Sequence, residues 1–218
     1  MKVILFGATG MVGGGVLREC LLDPDIENVL AVGRSSTGLQ HKKLCEIVHN
    51  DLMDLSDLEA ELVGYDTCFF CLGVSSVGMK EDEYRRVTYD LTTAVARTLV
   101  KLNSNMTFIY ISGAGTDSSE QGRVMWARVK GKTENALLAM PFKAAYMFRP
   151  AYIQPQHGIV AKSKLTRAFY VGMGSFEPVL RMLFPKYITT TEILGQAMIK
   201  VAKQGAPAPI IESKDISV

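Results

Sequence analysis

Short uncharged runs alternate with longer stretches of helical period along most of this chain. Val3-Ile-Leu-Phe6, Val29-Leu-Ala-Val32, Thr67 to Leu72, Thr107 to Ile111 and Ala144 to Phe148 carry no charge, as strands buried on both faces should. Leu44-Cys-Glu-Ile-Val48 reads as a further strand, third in chain order. Between the strands, Val16, Leu17, Leu21 and Leu22 recur at helical spacing until Asp23-Pro24-Asp25 breaks the helix. Asp54 to Leu62 predicts a short helix with Leu55, Leu58 and Leu62 on one face. Tyr84, Val87, Leu91, Val95 and Leu99 mark a long helix from about Glu81 to Leu102. A further helix covers roughly Arg123 to Ala139 and stops at Pro141. Glu192 to Lys203 predicts the last helix, and Ala208 to Glu212 a last strand. This alternation predicts an α/β fold, a Rossmann-type doubly wound parallel sheet of six or seven strands with Val3–Phe6 inside it.

The pattern changes after Pro150. Phe169, Tyr170, Met173, Phe176, Leu180, Met182, Leu183 and Phe184 stand among scattered glycines. Residues 151 to about 188 therefore read as a small C-terminal apolar lobe over the carboxyl edge of the sheet, where open α/β sheets bind ligands. Ordinary core is the plainer role for most of these side chains. The whole chain, 1–218, is expected to be one domain.

The stretch Gly7-Ala-Thr-Gly-Met-Val-Gly13 joins the first strand to the first helix. Glycines here let the backbone approach a pyrophosphate, and the free N–H groups and positive dipole at the helix N-terminus hold its charge. Gly7, Thr9, Gly10, Met11, Val12 and Gly13 are thus candidate cofactor-binding residues in the strand–turn–helix context that the motif requires. Arg34 follows the second strand, 21 positions after Gly13, and Ala31 to Thr37 contains no acid. A site preferring NAD places an Asp or Glu there, whereas a guanidinium beside Ser35 suits a 2′-phosphate. The expected cofactor is therefore NADP rather than NAD. Asp51 and Leu52 are expected at the adenine wall, Leu72 and Gly73 where a backbone passes the cofactor, and Pro150, Tyr152 and Ile153 beside the nicotinamide.

Net charge is +2, which gives no electrostatic case for nucleic acid as the main partner. No apolar run is long enough to span a membrane. The four cysteines do not suggest a disulfide framework. Cys68 and Cys71 have metal-like spacing, but they lie in an apolar strand without a second pair, so buried thiols are expected and no metal site. A first strand that begins at residue 2 and reduced thiols suggest a cytoplasmic protein.

Trp126 and Lys130 stand four apart on a predicted helix and share a face, and Ser112 ends the preceding strand. With Gly7-Ala-Thr-Gly-Met-Val-Gly13, Phe70-Cys-Leu-Gly73, Tyr110-Ile-Ser112, Arg128-Val-Lys-Gly131 and Phe148-Arg-Pro150 in order, the chain resembles the atypical short-chain dehydrogenase/reductase superfamily. That superfamily includes NAD-dependent epimerases and NmrA-like proteins, and the closest likeness is to Tat-interacting oxidoreductase-like proteins. The resemblance implies a Ser–Tyr–Lys catalytic group. In it the Tyr hydroxyl moves a proton, the Lys holds the nicotinamide ribose and lowers the Tyr pKa, and the Ser orients the substrate oxygen. Ser112 and Lys130 match, but Trp126 stands at the Tyr position, and an indole is no proton donor at neutral pH. Tyr152, Tyr84, Tyr89 and His157 are weak replacement candidates. Two functions compete. One is an oxidoreductase or epimerase with altered chemistry. The other is a non-catalytic NADP-binding redox sensor or partner-binding protein. Substrate and partner stay open, and a monomer or homodimer is expected.

Overall fold

Strand β1 (Lys2–Phe6) sits inside a seven-stranded sheet. The computed structural model describes residues 1–159 and 187–217. In chain order the other strands are β2 (Asn28–Gly33), β3 (Leu44–Val48), β4 (Thr67–Phe70), β5 (Thr107–Ile111), β6 (Ala144–Arg149), β7 (Tyr152–Gln154), β8 (Ile188–Thr190) and β9 (Ile210–Glu212). Among the described residues the helices are α1 (Met11–Leu22), α2 (Glu81–Arg85), α3 (Leu91–Leu102), α4 (Met125–Leu138) and α5 (Thr191–Gln204). The strand order is β3-β2-β1-β4-β5-β6-β9, and every neighbouring pair is parallel. The chain leaves β1 for β2 on one side and later returns to β4 on the other. This reversal opens a crevice at the carboxyl ends of β1 and β4, the usual ligand site of such sheets.

Side chains alternate between two cores, as the period of a strand dictates. Val3, Leu5, Val29 and Ala31 pack with Val16 and Leu17 of α1 and Leu194 and Met198 of α5. Ile4, Phe6, Leu30 and Val32 pack on the other face with Val95 and Leu99 of α3 and Leu137 of α4. The fold class is the one expected, a doubly wound parallel sheet with both faces covered.

Three details differ from the sequence-based expectation. The helix expected over Asp54–Leu62 is only a 3-10 turn, Ser56–Leu58, where Asp54 Oδ1 accepts a hydrogen bond from the Ser56 N–H. The long helix is broken between α2 and α3 by a π-turn over Arg86–Asp90. Its extra residue turns Val87 outward, 37% exposed, and Thr88 inward, which removes Val87 from the apolar stripe. A two-stranded parallel ribbon, β7 with β8, lies outside the main sheet; neither strand is legible in so short a run. Most of the lobe expected over 151–188, Phe169 to Phe184 included, lies outside the described residues.

Helices α1 and α5 meet through glycine. A Cβ on Gly15 would lie 2.6 Å from Thr191 Cβ, and one on Gly195 would lie 2.8 Å from Glu19 Cγ. Alanine at an exposed helical site gains about 1 kcal/mol over glycine, whereas overpacking costs about 1–3 kcal/mol. Gly15→Ala is expected to lower the urea midpoint, with a net loss of up to about 2 kcal/mol. A variant as stable as the parent would show that the two helices are free to separate.

Candidate functional site

A cleft of about 700 Å³ opens at the carboxyl edge of β1, β2 and β4. Its floor is the turn after β1. Gly7 has φ +87°, and a Cβ there would lie 2.8 Å from the Cys71 carbonyl carbon. Any side chain at this position is therefore excluded both by conformation and by space. Gly13 approaches the same turn so closely that a Cβ would stand 2.0 Å from the Gly7 carbonyl oxygen. The turn delivers the N-terminus of α1 to the cleft, where Gly10 caps the helix without a side-chain hydrogen bond and the first turn carries no acid. The first N–H groups of a helix have no intrahelical acceptor, so this end presents uncompensated donors and a positive dipole to an anion. This backbone arrangement fits a dinucleotide pyrophosphate.

Of the residues singled out in the sequence, Gly7, Thr9, Gly10, Met11, Arg34, Ser35, Leu52, Leu72 and Gly73 line the cleft. Val12 and Gly13 lie in the first turn of α1 behind this lining. Asp51 is exposed and spends Oδ1 on the Met53 N–H. Ile153 packs into the α1–α5 core. The Pro150 carbonyl accepts the Ala114 N–H, and Tyr152 pairs with Ile188 across the ribbon. Arg34 is exposed and makes no hydrogen bond or ion pair among the described residues.

Sequence reading missed Glu46. It lines the cleft from β3, and its Oε2 accepts the Ser36 hydroxyl at 2.7 Å while Oε1 accepts the Thr37 N–H at 2.7 Å. The segment Ala31–Thr37 has no acid of its own, but the fold supplies one from the neighbouring strand. The available signal was one charge in the otherwise uncharged run Leu44–Val48.

The second group of candidate residues meets at the ends of β5 and α4. The Lys130 amine donates to the Ser112 main-chain carbonyl. Burial pushes this amine down to a pKa of about 8, against a smaller upward pull from Glu134. Ser112 is placed differently from the expectation that its hydroxyl faces a substrate. The residue is 4% exposed, and its Oγ lies 2.5 Å from Glu134 Oε1 and 3.0 Å from the Phe148 carbonyl. Its single proton is held between these two acceptors. The next position does face Lys130: a Cβ on residue 113 would stand 3.8 Å from Lys130 Nζ, but the residue is glycine with φ +150°. Trp126, half-buried on α4, brings its ring edge to Gly115, within 3.5 Å of where a Cβ would be.

Behind this group lies a buried ion-pair network. Glu134 is fully buried and takes two hydrogen bonds from Arg149, Nε to Oε1 at 3.0 Å and Nη2 to Oε2 at 2.5 Å. Arg149 also reaches Glu212 Oε1 at 3.0 Å and Ser118 Oγ at 2.6 Å. These charge-assisted bonds, those donated to Glu134 foremost, raise the Arg149 pKa further. The replacement acids have other partners. Tyr84 is 2% exposed, and its hydroxyl, pushed up by burial, bonds with Thr88. Lys132 covers the Tyr89 ring at 5.0 Å, and His157 pairs with Glu192 at 2.6 Å. Among the described residues no group of His, Cys, Asp or Glu is arranged to hold a metal ion. No described helix is long and apolar enough to cross a membrane.

Sheet order, glycine turn and cleft together define a dinucleotide-binding protein with the fold of short-chain dehydrogenases/reductases. The NAD(P)H-binding family model matches residues 7–146, and the chain belongs to that family. It is similar to the mitochondrial protein FMP52-2 of Scheffersomyces stipitis, 26% identical over 93% of this chain and 87% of the relative. It is similar also to mitochondrial FMP52 of Saccharomyces cerevisiae, 27% identical over 69% of this chain and 64% of the relative. Among solved structures, the Bordetella bronchiseptica enzyme WbmF in complex with NAD+ and UDP superposes with TM-score 0.71 at 14% identity, over 97% of this chain and 71% of that one. A short-chain dehydrogenase/reductase of Saccharomyces cerevisiae superposes with TM-score 0.64 at 14% identity, over 98% and 96%. The family gives a nicotinamide dinucleotide as the cofactor class, and the fold is the one that short-chain dehydrogenases/reductases adopt. The cytoplasmic expectation is overturned by the relatives, which are named as mitochondrial proteins. An apolar first strand and free thiols describe a folded domain and carry no address.

Glu134→Leu would leave the Arg149 guanidinium buried without its main partner. Breaking a buried pair in this way costs about 3–5 kcal/mol, so the variant is expected to lose that much in equilibrium urea unfolding. A loss below about 1 kcal/mol would mean that Arg149 is held by Glu212 and Ser118 alone.

Proposed function

We propose that this protein binds NADP(H) and does not carry out ordinary tyrosine-dependent carbonyl reduction, serving as a sensor of the dinucleotide or as a partner-binding protein. One observation carries the reading: among the described residues, the hydrogen-bond partner of the Lys130 amine is a main-chain carbonyl, not a side-chain hydroxyl. Proton transfer to a substrate oxygen needs a donor with a hydroxyl-like acid at that place. Trp126 provides only an indole N–H, the Ser112 proton is held by Glu134 and Phe148, and residue 113 has no side chain.

The bound dinucleotide supplies a hydride donor or acceptor. Several residues of the cleft, and Lys130 beyond it, have a part in holding it. The N–H groups at the start of α1 hold the pyrophosphate, Leu52 covers the adenine, and the backbone of Leu72 and Gly73 borders the ribose. Arg34, with Ser35 beside it, takes the 2′-phosphate, and Lys130 takes the nicotinamide ribose. A charge-assisted contact to phosphate contributes about 1.5–3 kcal/mol, a factor of ten or more in affinity. By calorimetric titration NADP is expected to bind more tightly than NAD. Arg34→Ala is expected to lose at least tenfold toward NADP and little toward NAD. Equal losses toward both would remove Arg34 from the 2′-phosphate site.

A second reading is favoured by the lowered Lys130 pKa: a reductase in which the lysine ammonium is the proton donor. The two readings separate in one assay. The first expects NADPH oxidation near background with small aldehydes, ketones and quinones. Turnover in the ordinary range of roughly 1 to 10³ per second would overturn it. If that turnover declines as pH rises through about 8, where the ammonium is lost, and vanishes in Lys130→Met, Lys130 is the acid.

A further inference from the structure

The adenine-ribose end of the cleft holds two opposite charges that do not neutralise each other. Arg34 and Glu46 both line it, yet no ion pair joins them among the described residues. The carboxylate is directed instead into the loop after β2, accepting the Ser36 hydroxyl and the Thr37 N–H, each at 2.7 Å. It stands on β3 opposite Ala31 of β2, where the small side chain leaves it room. Partial burial works against its charge, but the Thr37 and Ser36 hydrogen bonds outweigh this and hold the carboxyl below the usual range. Glu46 is therefore an anion at neutral pH. Ser36 is a neighbour of Arg34 and Ser35 on the same loop, so a phosphate held there lies close to the residue that Glu46 engages.

We infer that Glu46 is a specificity-determining residue of this cleft, whose carboxylate opposes the 2′-phosphate that Arg34 attracts, so that the site accepts NAD as well as NADP. The inference rests on the reading of Arg34 as the 2′-phosphate site. Glu46 acts in two ways that can be told apart. As a brace it shapes the loop from Ser36 to Thr37, and this serves both cofactors alike. As a charge it repels the phosphate only, because NAD carries a hydroxyl at that position. A like charge one or two hydrogen bonds away is worth about a factor of ten in affinity at low salt. Its effect declines as salt shortens the screening length to about 3 Å near 1 M. The carboxylate thus keeps the preference for NADP small, where Arg34 alone would make it large.

The test is calorimetric titration of the full chain with NADP and with NAD, using wild type, Glu46→Gln, Arg34→Ala and the double variant. Glutamine keeps the size and one acceptor for the Thr37 N–H while removing the charge. Glu46→Gln is expected to tighten NADP about tenfold at low salt, to change NAD less than about threefold, and to lose most of this shift near 1 M salt. Glu46→Ala, which also removes the brace, is expected to weaken NAD while still shifting the ratio toward NADP. If Glu46→Gln weakens both cofactors equally, leaves the ratio unchanged or shifts it toward NAD, the inference is overturned while the Arg34 reading stands. If wild type binds neither cofactor, or Arg34→Ala spares NADP, the parent reading fails and this inference falls with it. Circular dichroism of each variant confirms that the compared proteins are folded.

Discussion

The approach of α1 to the turn after β1 is the contact on which the rest of the molecule depends. Gly13 lies against the Gly7 carbonyl at a distance that admits no side chain. That contact sets the helix on the end of its own strand and aims its N-terminus along the crevice between β1 and β4. The direction of α1 then decides where α5 can lie, because the two meet at Gly15–Thr191 and Gly195–Glu19. Thr190 ends β8 and caps α5 through the Ile193 N–H, so the small ribbon and the last helix take their place from a turn near the first residues. A phosphate cradle and a packing device are the same stretch of backbone.

Where β5 and α4 end, position is set by charge. Glu134, Arg149, Ser112, Ser118 and Glu212 join α4, β6, β5, the loop before α4 and β9. A buried ion pair adds little net stability compared with apolar packing, yet it is costly to break and therefore holds its elements in one arrangement. Here the arrangement fixes α4, and with it Lys130 and Trp126. It also consumes the hydroxyl that the superfamily pattern assigns to the substrate. The engagement of this hydroxyl and the indole of Trp126 beside Gly115 are the observations behind the proposed cofactor site without an ordinary proton donor.

The glycine turn and the group around Lys130 thus follow different physics. The turn at the start of α1 is built from main-chain groups and is insensitive to side-chain identity, apart from the need for glycine. The loop that Glu46 engages and the group around Lys130 are built from side chains, where exchange of a single group alters the charge and the hydrogen bonds present. Family membership and cofactor class are accordingly evident from the turn and the fold.

Much of the fold was legible in the chain itself. Uncharged runs of strand length, helical repeats and Gly7-x-x-Gly10-x-x-Gly13 are local signals, and each follows from the period of an element or from the space a backbone needs. They determined the parallel sheet, the place of β1 within it, and the lining residues Gly7, Thr9, Gly10, Met11, Leu72 and Gly73. The π-turn at Arg86–Asp90 was not legible, because the apolar repeat reads through it and only packing reveals that Val87 faces out. Nor was the engagement of Ser112, whose partners Glu134 and Phe148 are 22 and 36 residues away. Glu46 is the clearest case. In sequence it is a charge on an edge strand and Arg34 stands in a loop without acids, whereas register places the carboxylate against that loop. A side chain's neighbours along the chain are determined by sequence, but the field it experiences is summed over neighbours in space, and only the tertiary structure brings those together.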